Sequence, residues 1–282
     1  MILTEESLSD EEECIDWDEL DDESYSMLVI QTLPAYKDID KSLIQHDLLP
    51  PKAESSPQFT LVLDLDETLV HCVMEPIESY DIKFDIRYSE EPVEVYASFR
   101  PFLQEFLNTV SKMFEIVIFT ASQQCYADAV MKIIDKESVV SHILYRQHCL
   151  YVDENYLKDL KSLNRDLKKT VIIDNSLYAF AYQLDNGIPI SSYFDNKKDE
   201  ELKNMIPLLQ RIVHMKDVRR FLRNHFKLRE KVRNFVLPFS SVCNNHSKKS
   251  KTTHTEGSDL EVGDMSQYTS HIVLLCIQST SQ

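Results

Sequence analysis

Two rhythms of apolar and polar residues run through the middle of the chain. Residues 58–65 (QFTLVLDL) form a nearly continuous run of Leu, Val and other apolar positions, the pattern of a strand buried on both faces. From Tyr80 to Tyr88 the apolar residues stand at 80, 82, 84, 86 and 88 with charged residues between them, and the same period of two resumes at Val93, Val95, Ala97 and Phe99. Two half-wet strands flanking Ser89-Glu90-Glu91-Pro92 predict an antiparallel hairpin inserted after the first strand. Pro101 sits where helices begin, with Phe102, Phe106 and Val110 on one stripe. Residues 114–120 (FEIVIFT) predict a second buried strand, after which Ser122 is placed to cap a helix reaching about Asp135. Further strands are expected over 143–150, 170–174 and 188–190, and a helix over 199–215. Strands alternating with helices predict an α/β fold, a parallel sheet with helices on both faces and its site at the C-terminal strand ends.

Charge divides the rest of the chain. Of a net charge of −17 over 282 residues, residues 1–25 carry 12 acidic side chains and no basic one, so the remainder is nearly balanced. Residues 1–56, acidic and then dotted with Pro34, Pro50 and Pro51, are expected to form a mostly disordered arm. Residues 57–236 are the expected folded domain, and residues 238–282, rich in Ser, Thr, Asn and His, the expected flexible tail. The acidic end argues against nucleic acid as a partner. The eight Lys and Arg of residues 216–233 read more simply as a solvated terminal helix with Val218, Phe221 and Leu222 facing the core.

Composition excludes whole classes. With only Gly187, Gly257 and Gly263, the chain holds neither a GxGxxG nor a Walker loop, which removes Rossmann dinucleotide enzymes and P-loop kinases. Six cysteines without a CxxC, an N-terminus unlike a signal peptide, and an apolar run of only 272–277 near the end predict an intracellular protein with no membrane span.

The candidate chemistry lies at strand ends. Asp64 and Asp66, at i and i+2 where the first strand finishes, leave two carboxylates on one side of the chain. Placed that close they repel, so the site calls for a cation or a shared proton. A lone DxD is more often an ordinary polar strand end. Here the second strand also ends in a hydroxyl, Thr120, and residues 170–174 end in Asp174 followed by Asn175, two oxygen donors suited to a hard cation. Lys158, between them in sequence, offers an ammonium. Together these residues compose an Mg²⁺-dependent phosphoryl-transfer site.

The strings LVLDLDETLVHC, FRPFLQEFL, EIVIFTAS, YLKDL and VIIDNS resemble the FCP/SCP branch of the haloacid dehalogenase (HAD) superfamily of aspartate-dependent phosphatases, over roughly residues 57–236. The resemblance implies a HAD-like fold, removal of phosphate from phosphoserine and phosphothreonine in proteins, and a nuclear or cytoplasmic location. It implies phosphorylated protein partners, the C-terminal domain of RNA polymerase II among them. By the family pattern Asp64 is the nucleophile that becomes an aspartyl phosphate, and Asp66 the general acid and base. Mg²⁺ would sit on Asp64, the Asp66 carbonyl and Asn175, with Asp174 helping through water. Thr120 and Lys158 would hold the phosphoryl oxygens, and Arg146 the substrate peptide. The family pattern often has Gly where this chain carries Glu154 and Asn164, and Pro where it carries Leu177. A metabolite phosphatase on the same fold and a phosphopeptide-binding scaffold with weak turnover stand as the alternatives.

Overall fold

In the computed structural model, which describes residues 20–87 and 92–236, five parallel strands form the central sheet. They are β1 (Phe59–Leu63), β5 (Phe114–Phe119), β6 (Val140–Leu144), β9 (Thr170–Asp174) and β10 (Gly187–Pro189), in the order β10-β9-β1-β5-β6. β1 is the middle strand, with Leu63 opposite Ile118 on one side and Ile173 on the other. All five of its residues are buried, as the nearly continuous apolar run predicts.

Alternation along β1 feeds two cores. Phe59, Leu61 and Leu63 point into a core shared with α2 (Leu103–Val110), α3 (Gln124–Ile134), α4 (Glu201–Ile212) and α5 (Val218–Phe226). Val62 points the other way, joining Val117 and Ile172 against α1 (Asp22–Thr32), the 3₁₀ segment Leu177–Asn186 and α6 (Leu228–Asn234). The expected α/β layering is therefore present, with helical cover on both faces.

The insert after β1 is larger than a hairpin. β3 (Ile82–Arg87) and β4 (Pro92–Phe99) pair antiparallel as expected, with Ile86 opposite Val93 and Phe84 opposite Val95, and β2 (Val70–Val73) adds a third strand on the far side of β4. Ile86, Val95 and Ala97 are buried, while Phe84 packs onto the first core, so this sheet is anchored to the body.

Several expectations need correction. The arm of 1–56 is ordered wherever it is described. Asp21 caps α1 by accepting the Ser24 N–H at 2.8 Å, Met27 and later Leu49 are buried in the second core, and Val29 is buried as well. Residues 1–19 and 238–282 lie outside the described residues. The third strand runs over Val140–Leu144 and not 143–150, because the chain turns through a short 3₁₀ helix at Arg146–His148. Ser122 is not a cap: α3 begins after Gln123 with no side-chain cap, and the Ser122 hydroxyl turns elsewhere. Phe102 lies off the apolar stripe, in the left-handed conformation at φ 66°. The terminal basic helix is two helices, α5 and α6, broken at Lys227 with φ 54°.

Strands β7 (Leu150–Val152) and β8 (Asn155–Leu157) form a second hairpin, joined by Asp153 and Glu154 with φ 46° and 64°. Two successive positive φ values make the tight turn for which Asn-Gly or Asp-Gly is preferred, so Glu154 occupies a position that favours glycine. Asn164 also has positive φ, 55°, a conformation that Asn accepts more readily than Glu. Leu177 simply buries its side chain in the second core. Since Glu154 is exposed, Glu154→Gly sheds strain without losing a buried contact. It is expected to stabilise the protein by about 0.5–1 kcal/mol, read as a melting temperature a few degrees higher. Glu154→Ala keeps the Cβ and should give no such gain.

Candidate active site

Three neighbouring strands end side by side. Asp174 is the last residue of β9, Asp64 follows β1 with its N–H bonded to the Ile173 carbonyl at 3.0 Å, and Thr120 follows β5. Lys158 arrives from a different direction, directly after β8, and donates its own N–H to the Ala179 carbonyl. The parallel sheet thus supplies the carboxylates and the hydroxyl, and the second hairpin delivers the ammonium.

Lys158 is the centre of the charge arrangement. Its Nζ donates at 2.5 Å to Asp64 Oδ1 and at 2.5 Å to Asp174 Oδ2, with the lysine only 3% exposed. Burial by itself lowers an ammonium pKa, yet the two carboxylates overcome it and hold Lys158 above its usual range, permanently charged. Asp174 also accepts the Ser176 N–H at 2.8 Å, but burial first and the Asp64 charge second lift its carboxyl to about 7.

Asp66 occupies a separate cage. Its Oδ2 accepts from Ser122 Oγ at 2.6 Å and Thr120 Oγ1 at 3.3 Å, and its Oδ1 accepts from the Tyr126 hydroxyl. Burial and, after it, the nearby Asp64 charge raise the Asp66 pKa, and these hydroxyl donors only partly oppose the shift. Thr120 itself is fixed by the Ser122 N–H, 2.9 Å from its Oγ1. Glu67, next in the chain at φ 55°, is buried against His71 at 3.0 Å and is pushed up to about 7, chiefly by burial.

Asp64 and Asp174 share the buried Lys158 ammonium, while Asp66 and Glu67 lie close enough to feel the neighbouring carboxylate charge, and the surplus of acidic groups suits a bound cation. Among the described residues, three or more His, Cys, Asp or Glu side chains do not converge as a metal cage. A cation here could draw on the Asp64 and Asp174 carboxylates, the Asn175 amide, backbone carbonyls and water. That sparse, hard-oxygen set is the kind Mg²⁺ uses.

The structure brings Asp64, Asp66, Thr120, Lys158 and Asp174 together. Asn175 is adjacent, its Oδ1 accepting from Thr68 Oγ1 at 3.2 Å and its Nδ2 donating to Ser192 Oγ at 3.0 Å. Arg146 stands at the rim: its Nε donates to the Ala121 carbonyl at 2.6 Å, and its guanidinium lies 5.1 Å from the Tyr156 ring centroid. Ser122 and Tyr126, which hold Asp66, and Thr68 and Ser192, which hold Asn175, were missed by sequence reasoning. Only Ser122, two residues beyond Thr120, carried a signal that could have found it.

An aspartate at the end of the middle parallel strand, with a hydroxyl and a lysine delivered from neighbouring elements, defines a HAD-like phosphatase site. Residues 59–219 match the model of the NLI interacting factor-like phosphatases, and the chain belongs to that family. It is 51% identical to CTD small phosphatase-like protein 2 of Dictyostelium discoideum over 180 residues, 64% of this chain and 32% of that one. It is 44% identical to CTD small phosphatase-like protein 3 of Caenorhabditis elegans over 196 residues, 69% of this chain and 67% of that one. The human carboxy-terminal domain RNA polymerase II polypeptide A small phosphatase 1 is 37% identical over 180 residues, 64% of this chain and 69% of that one. The chain spans about a third of the length of the Dictyostelium relative.

Proposed function

We propose that the protein is an Mg²⁺-dependent phosphatase of phosphoserine and phosphothreonine in proteins, working through an aspartyl phosphate on Asp64. The observation that carries this reading is the Lys158 ammonium, locked at 2.5 Å to both Asp64 and Asp174 at the end of the middle strand. In this reading Asp64 attacks phosphorus, and Lys158 and Thr120 hold the phosphoryl oxygens as charge develops on them. Asp66, whose raised pKa keeps a proton available, protonates the leaving serine oxygen and then takes a proton from the water that hydrolyses the aspartyl phosphate. Mg²⁺, held by Asp64, the Asp66 carbonyl and Asn175 with help from Asp174, would offset phosphate charge and orient the attacked group. Arg146 at the rim would engage the substrate peptide.

The insert favours a protein substrate. Its buried strands fix it to the body, which suits an open groove better than a hinged cap closing over a metabolite. The names of the relatives make the RNA polymerase II C-terminal domain one candidate partner, met in the nucleus, and other cytoplasmic or nuclear phosphoproteins the rest. Purified protein assayed on a phosphoserine peptide and on a sugar phosphate should turn over the peptide only, and only with Mg²⁺. Preference for the sugar phosphate would favour a metabolite enzyme. Binding of the peptide without turnover would favour a scaffold.

A further inference from the structure

The start of α1 reaches the site. Asn175 Nδ2 donates to Ser192 Oγ at 3.0 Å, and Ser192 Oγ donates to Asp22 Oδ2 at 3.1 Å. Both ends of this contact are anchored independently. Beside Ser192, buried Tyr193 bonds through its N–H to the Glu67 carbonyl at 2.7 Å and through its hydroxyl to the Phe99 carbonyl at 2.9 Å. The helix is held by Met27 in the second core with Ile30 packed against it, by Gln31 Nε2 on the Val232 carbonyl at 2.7 Å, and by Tyr25 packed edge-on against Tyr178 at 6.0 Å. Asp21 takes the cap, which leaves the Asp22 carboxylate free to face Ser192.

We infer that Asp22 is a positioning residue that sets which end of the Asn175 amide faces the catalytic carboxylates. The inference rests on the reading of Asn175 as a metal-site residue. The chemistry follows from donor and acceptor counts. An ionised carboxylate only accepts, and a serine hydroxyl has one proton to give. With that proton directed to Asp22, Ser192 can offer Asn175 only lone pairs, so the amide must turn its NH₂ outward. The amide oxygen is then left on the side away from Ser192, where Thr68 donates to it at 3.2 Å. Without Asp22, Ser192 can donate to either neighbour, and the flipped amide, presenting NH₂ to a cation, becomes comparable in energy.

The test compares Asp22→Ala with Glu23→Ala, which removes the same charge one residue on but whose partner is the exposed Lys231. Mg²⁺ affinity of the full chain is measured by calorimetric titration. The Asn175 side-chain amide pair, assigned by its loss in Asn175→Ala, is followed by NMR without metal. Asp22→Ala and Ser192→Ala should each weaken Mg²⁺ binding about tenfold and non-additively, and should move or broaden the Asn175 pair. Glu23→Ala should change the affinity less than twofold and leave that pair in place. Equal effects of Asp22→Ala and Glu23→Ala, or an Asn175 pair indifferent to Asp22, would overturn the inference. If wild-type protein takes up no Mg²⁺, the metal-site reading fails, while the amide signals still decide whether Asp22 sets the flip.

Discussion

Asp64→Asn is expected to lower turnover of a phosphoserine peptide by at least ~10³-fold while the protein stays folded. The amide keeps the size of the carboxylate but carries no charge with which to attack phosphorus. Stability should survive because Asp64 belongs to a group of four crowded acids. Its removal relieves repulsion on Asp66 and Asp174, and Lys158 keeps its second partner, Asp174, at 2.5 Å. Melting temperature and Mg²⁺-dependent rate, measured together, check both halves. A variant with near-normal rates would place the nucleophile elsewhere.

Asp66→Asn should separate substrates by their leaving groups. A serine alkoxide departs only with a proton, a contribution of about 10²–10⁴-fold for general acid catalysis, whereas para-nitrophenolate leaves unaided. Single-turnover phosphoryl transfer from the peptide should therefore slow far more than transfer from para-nitrophenyl phosphate. The pH profile supplies a second readout. Because burial and the Asp64 charge raise the Asp66 pKa, the acid form persists towards neutral pH, and the peptide rate should fall on the alkaline side as that proton is lost. The variant should lack this limb. Equal slowing of both substrates would make Asp66 a holder of the metal and not the acid.

The parts of the fold that could be read from sequence were those written in local pattern. β1, β5 and β9 are largely apolar runs, and β3 with β4 alternates cleanly, so each announced itself. Asp64, Thr120 and Asp174 were visible for the same reason, as polar residues where such runs stop. β7 and β8 were hidden because Asp153-Glu154 lacks the glycine that marks a two-residue turn. In α1 the twelve acids of residues 1–25 masked Met27 and Ile30, whose value lies in a core supplied by residues far along the chain. The same distance concealed Tyr126 on Asp66 and Asp22 on Ser192, contacts 60 and 170 residues apart with no local trace.

The central claim is a covalent phosphoryl group on Asp64, and chemical trapping tests it most directly. Protein mixed with a phosphoserine peptide and Mg²⁺ is quenched during turnover and reduced with borohydride, which converts an aspartyl phosphate to homoserine. Peptide mapping by mass spectrometry should then find homoserine at position 64, dependent on substrate and absent from Asp64→Asn. Phosphate released with position 64 unmodified, or a reduced residue elsewhere in the chain, would contradict the account.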